Sequence, residues 1–179
     1  MIARTAFALT LLAAPALAQD FDRYGTTNPD ELTHQRMVEN AENGQTDMMT
    51  CASGYLMTKS GDHDAARTIF GACADAGYTR AMTWMSYLED NGFGGDYNPD
   101  ASTDWNRQAA EAGDPMGMYN YGLDILRQHG TSAEAAEGRE WIDRAAEAGL
   151  DRAAMLQGAD YDWNAVTPDA DNWRYAPAF

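Results

Sequence analysis

Basic residues are scarce in this chain: 12 Lys+Arg stand against 28 Asp+Glu, for a formal net charge of −16. A phosphate backbone or an anionic lipid surface needs a cationic face to meet it, so the deficit excludes nucleic acid and membrane head groups as partners. There are three histidines, His34, His63 and His129, and no two stand three or four residues apart on one helix face. No G-x-S-x-G elbow, H-E-x-x-H helix or phosphate-cradling glycine loop occurs. Asp96, Asn98 and Asp100 invite comparison with a calcium loop but lack the glutamate at its twelfth position. The expectation is therefore a protein with no catalytic residues, no metal site and no cofactor, and not an enzyme.

A long apolar stretch occurs only at the start, where Thr5 to Ala14 follow a single positive charge at Arg4. The run is too short for a permanent span. Ala16-Leu17-Ala18 presents small residues where a signal peptidase cuts, so residues 1–18 read as a signal peptide cleaved before Gln19, implying a periplasmic or secreted protein with no membrane insertion afterwards. Its removal leaves 11 basic against 28 acidic residues, a formal charge of −17. What remains is enough for one continuous core. Residues 19–28 read as a mobile N-terminal segment.

Cysteine is nearly absent, with only Cys51 and Cys73. An oxidising compartment favours joining them. Cys51 follows Gly44 by seven residues and Cys73 precedes Gly77 by four, which places one on each helix of a tight antiparallel pair. The expectation is a bridge closing a loop of roughly 20 residues.

What the chain does have is a period. Gly44, Gly77, Gly113 and Gly149 close the segments NAENG, CADAG, AAEAG and AAEAG at intervals of 33, 36 and 36 residues. A recurrence of that length is the mark of stacked helix pairs, with each glycine free to take the left-handed conformation that ends a helix. Nine residues after the glycines stand Ser53, Ser86, Gly122 and Gly158; four after them stand Met48, Ala81, Gly117 and Ala153. Small side chains at these places let a neighbouring helix come close. Eight before the later glycines come Ile69, Trp105 and Trp141 as apolar anchors.

Trp105-Asn106-Arg107-Gln108-Ala109-Ala110-Glu111-Ala112-Gly113 and Trp141-Ile142-Asp143-Arg144-Ala145-Ala146-Glu147-Ala148-Gly149, with Gly117-Met118-Tyr119-Asn120-Tyr121-Gly122 and Gly92-Phe93-Gly94, resemble the Sel1-like repeats, relatives of the tetratricopeptide repeats. The likeness covers roughly residues 45 to 163; Ile69 replaces the tryptophan and Cys73 an alanine in the first copy. It implies an all-α fold, a right-handed α-solenoid of stacked antiparallel helix pairs. The repeat domain spans residues 29–163, with repeats at about 45–77, 78–113 and 114–149 and a partial one at 150–163. A tail over 164–179 caps the stack with Trp173, Tyr175 and Phe179.

Helices are predicted near 30–43, 46–58, 63–76, 79–91, 101–112, 115–128, 133–148 and 151–162, with Asp30, Asp62, Asp100, Asp114 and Asp151 at or beside their starts. In the related repeats the first helix of each pair lines the concave face, which implies groove positions three, six, ten and thirteen after each glycine. These hold Asp47, Thr50, Gly54 and Met57; Arg80, Thr83, Tyr87 and Asp90; Met116, Tyr119, Leu123 and Leu126; and Arg152, Met155, Ala159 and Asp162. Arg80, Tyr87, Met116, Tyr119 and Arg152 are the candidates for gripping a protein or peptide, since Tyr and Arg dominate recognition hot spots. The resemblance implies an exported, non-enzymatic scaffold binding such a partner in its groove. The alternative is a cell-wall-associated protein that binds or hydrolyses peptidoglycan-derived ligands.

Overall fold

The fold is built from helices ended where the sequence places glycine. Gly44, Gly77, Gly113 and Gly149 all have positive φ, between +73° and +91°, and nothing within 4 Å of a would-be Cβ. Their role is therefore conformational, since space for a side chain exists and the backbone forbids one. The computed structural model describes residues 33–128 and 132–164, and in these there are eight α-helices and no strand. They are α1 (His34–Glu42), α2 (Met48–Ser60), α3 (His63–Asp75), α4 (Thr79–Asn91), α5 (Pro99–Glu111), α6 (Pro115–Gln128), α7 (Ser132–Glu147) and α8 (Asp151–Gly158). Each packs on the next in sequence, as a linear stack of helix pairs requires. The predicted signal peptide, the 19–28 segment, Asp30, His129 and the tail from residue 165 lie outside the described residues.

Capping follows local chemistry more finely than the predicted aspartates. Asp62 and Asp114 cap α3 and α6 as expected, accepting from Ala65 N and from Met116 N and Gly117 N. Asp100 and Asp151 lie inside the first turns of α5 and α8, whose cap positions are Asn98 and Leu150. Asp47, expected in the groove, instead caps α2 by accepting from Met49 N and Thr50 N. Those backbone hydrogen bonds, the one from Thr50 foremost, hold its carboxyl below the usual range.

The first copy is out of register with the others. α4, α6 and α8 begin two residues after their glycines, whereas α2 begins four after Gly44. Met48 thus starts the helix and is 82% exposed, while its counterparts Ala81, Gly117 and Ala153 are buried. Gly54, not Ser53, takes the tightest approach, with the Phe70 ring 2.7 Å from where a Cβ would stand. In the third copy Gly122 and Gly138 let α6 and α7 meet, each one's would-be Cβ falling within 3.0 Å of the other's carbonyl oxygen. Gly158 meets nothing, because among the described residues no second helix follows α8. That helix stops four residues sooner than predicted, where Asp160 and Tyr161 turn to positive φ and Tyr161 folds back to donate to Asp143 at 2.6 Å.

The expected anchors differ in depth. Ile69 is fully buried and Trp105 packs on the same cluster. Trp141 is only half-buried, edge-on to Tyr121 and under the Arg144 guanidinium, and the deep anchor is its neighbour Ile142. The apolar interior also departs from a single spine. One cluster runs from Met37 through Ile69, Phe70 and Leu88 to Ala109; a second gathers Tyr119, Leu123, Ile142, Ala145, Ala153 and Leu156. They adjoin where Gly117 of α6 lies against Ala109 and Ala110 of α5. Cys51 and Cys73 are joined, clamping α2 to α3. No helix among the described residues is long and apolar enough to cross a membrane.

Candidate functional site

Between the two apolar clusters the α5–α6 contact turns polar. Phe70, Asn106 and Ile142 each follow the anchor residue of their copy (Ile69, Trp105, Trp141), and all three are buried. Two of these places are apolar and one holds an amide. A buried amide must find partners or cost several kcal/mol, and Asn106 finds two: its Nδ2 donates to Asp124 Oδ2 at 2.8 Å, and its Oδ1 accepts from Asn120 Nδ2 at 3.4 Å. Beside it the hydroxyls of Ser86 and Ser102, both buried, are 2.9 Å apart and share a hydrogen bond.

These groups floor a cleft of about 160 Å³ between α4 and α6, with α5 behind. Ser86, Ser102 and Asn106 lie deepest; Thr83, Tyr87, Asn120 and Asp124 form half-buried walls with buried Leu123; Asp90 and Arg127 stand exposed at the mouth. The α4 and α6 N-termini are tied by Thr79, whose hydroxyl donates to Asp114 at 2.7 Å. At the opposite end of α4, Arg67 of α3 spans the Glu89 carboxylate and the carbonyls of Leu88 and Phe93. The Phe93 ring carries the Tyr87 ring edge-on at 5.7 Å, so the loop that Arg67 fixes also supports a cleft wall.

Burial pushes the Asp124 carboxyl up from its ordinary 3.8 to about 6, against the Asn106 hydrogen bond and the charge of Arg127, with Asp90 adding to the rise. A carboxylate raised in the folded state stabilises the fold at low pH, and that contribution is lost as pH rises through about 6. Replacing Asp124 by Asn therefore gains stability at pH 7, on the order of 2 kcal/mol after discount for partial exposure. The gain disappears below about pH 4. Urea unfolding of both proteins at pH 3.5 and 7 measures the difference; an equal effect at both pH values would contradict the assignment.

The groove residues expected from the sequence are only partly brought together. Thr83, Tyr87, Asp90 and Leu123 line the cleft. Arg80 is exposed near the start of α4, Arg152 is half-buried near the start of α8, and Met116 packs against the second cluster; none of the three lines it. Tyr119 is 2% exposed, a core residue out of a partner's reach, and burial raises its hydroxyl pKa. Ser102, Asn106, Asn120 and Asp124 were not anticipated. Asn106 had a legible signal, since aligning the two W-x-x-x-A-A-E-A-G copies sets it against Ile142.

No protein-family model matches the chain, and no curated protein matches it. Among solved structures it is similar to a Sel1 repeat protein from Oxalobacter formigenes, at 27% identity and a TM-score of 0.55, over 61% of this chain. The match spans 43% of that protein, so the chain corresponds to less than half of its length. With eight helices packed in sequence among the described residues and glycines ending the helices at the repeat interval, the chain has the helical-repeat architecture of that Sel1 repeat protein and is similar to it in sequence motif.

Proposed function

We propose that the protein is an exported, non-enzymatic repeat scaffold that holds a segment of a protein partner along the face formed by α4 and α6. The observation that carries this reading is the buried polar floor at Asn106, in a place where the other copies bury Phe70 and Ile142. An amide there costs packing, offset by its two hydrogen bonds to α6. It does equip an opening between two inner helices with directed hydrogen-bonding groups. At about 160 Å³ the cleft is below the ~300 Å³ at which small-molecule sites begin, so it suits one side chain of a larger partner. The Cys51–Cys73 bridge fits an oxidising compartment, in keeping with export.

A photo-crosslinking residue at Thr83, on the cleft wall, tests the proposal in intact cell envelopes. The expected outcome is a discrete cross-linked protein whose yield falls about tenfold with Tyr87→Ala, the loss of one hot-spot contact. The same residue at Asp104, exposed on the far side of α5, should give no such species. Equal labelling from both positions, or recovery of cell-wall fragments in place of a protein, would overturn it.

A further inference from the structure

Asp124 is short of partners for a half-buried carboxylate. One oxygen accepts from Asn106; the other, Oδ1, has no hydrogen bond, and no cation lies within ion-pair distance of the side chain among the described residues. Arg127 lies three residues on along the same helix, yet its head stays exposed at the mouth and makes no pair with Asp124. Glu89, likewise half-buried between helices, has both oxygens met by Arg67. Oδ1 is open to the cleft rather than sealed in, so an incoming cation can reach it and, with good geometry, form a charge-assisted pair.

The rest of the opening agrees in sign and shape. Asp90 adds a second negative charge at the mouth, and the two carboxylates outnumber the single Arg127. The walls supply an aromatic ring at half-buried Tyr87, over which a cationic head or its stem lies well. The buried serines and amides below offer acceptors for the hydrogens such a head carries. A divalent metal is a poorer fit, because no three carboxylate, histidine or cysteine groups converge among the described residues. The net charge of the whole chain steers cations toward it.

We propose that the cleft is a receptor for one cationic group of the partner, a lysine ammonium, an arginine guanidinium or a free chain amino terminus, seated between Oδ1 of Asp124 and the carboxylate of Asp90. This deepens the scaffold reading given above and rests on it. The occupant's cationic head approaches Asp124 from the mouth, past the Tyr87 ring, and Arg127 disfavours acidic segments that would otherwise compete.

Four short peptides serve as probes for the mature chain: acetyl-Gly-Lys-Gly-amide, acetyl-Gly-Arg-Gly-amide, Gly-Gly-Gly-amide with a free amino terminus, and acetyl-Gly-norleucine-Gly-amide as the uncharged control. Binding is followed by NMR at the Asp124 carboxyl carbon and the Asn106 side-chain amide. The expected result is saturable binding of at least one charged peptide with a Kd on the order of 1 mM, weakened about tenfold by Asp124→Asn and less by Asp90→Asn. Whichever peptide binds most tightly identifies the source of the cation. Equal binding of the norleucine peptide, no shift at either group, or calcium binding at the same carboxyl would overturn the inference. Should the Thr83 cross-link form and survive Asp124→Asn unchanged, the scaffold reading stands and this one falls; should the cross-link be absent altogether, both fall.

Discussion

Replacing Arg67 by Ala should cost about 3 kcal/mol of folding stability and lower the melting temperature by on the order of 10 °C. Arg67 hydrogen-bonds the long α4–α5 loop onto α3, beside the His63 ring that stacks on Phe93 at 4.4 Å. Its Nη1 and Nη2 donate to the two oxygens of Glu89 at 2.7 and 3.2 Å, its Nε donates to the Phe93 carbonyl at 2.6 Å, and Nη2 also reaches the Leu88 carbonyl at 3.3 Å. Both side chains are mostly buried, at 19% and 13% exposure, so the pair is not a screened surface bridge of small worth. Truncation leaves a carboxylate and the Phe93 carbonyl short of a donor, while Leu88 O keeps the Phe93 N–H; that orphaning, more than the lost attraction, sets the magnitude. Lysine retains the charge but not the planar fork, so Arg67→Lys should recover only part of the loss. Removing Glu89 as well should cost less than the two single changes added together, because the second truncation takes away the stranded charge. A loss under 0.5 kcal/mol for Arg67→Ala, by urea unfolding, would show that the loop is held by other contacts.

That loop also shows where sequence reading reached and where it stopped. The helix over 79–91 was legible to the residue, as was the one over 115–128, because a glycine or proline marks their ends and marks are local. The disulfide was legible too, since the expected oxidising compartment and the spacing both pointed to it. Less visible was the start of α2: the 33-residue first interval hid a longer turn, which moved Met48 to the surface and put Gly54 where Ser53 was expected. The groove was read by helical position alone. Position says which face a residue occupies but not how far a neighbouring helix covers it, so Tyr119 fell into the core while Tyr87, at an equally inward place, lines the cleft. Asp124 lies outside the chosen positions because the second wall of the cleft is the flank of α6 that faces α4. Only a tertiary arrangement brings it to Asn106.

Removing the disulfide, as Cys51→Ala with Cys73→Ala, should cost about 3 kcal/mol, the chain-entropy estimate for a bridge spanning 22 residues, and the loss should be uneven along the stack. Repeat proteins gain stability from each unit and from the contact with its neighbours, so a defect spreads only as far as those contacts carry it. The bridge sits at the weak end. α2 carries exposed Met48, Met49 and Leu56, and on its other side the described residues give it only the nine-residue α1. A covalent tie to α3, whose Ile69, Phe70 and Cys73 are central to the first apolar cluster, compensates for thin packing there. Beyond it lies the polar seam at Asn106 and Asp124, where the first cluster gives way to the second. Amide exchange on the bridgeless protein should therefore show protection falling in α1 to α3 while α6 to α8 keep theirs. Uniform loss across all eight helices would mean that the stack unfolds as one unit and that the seam, whatever it binds, is no energetic boundary.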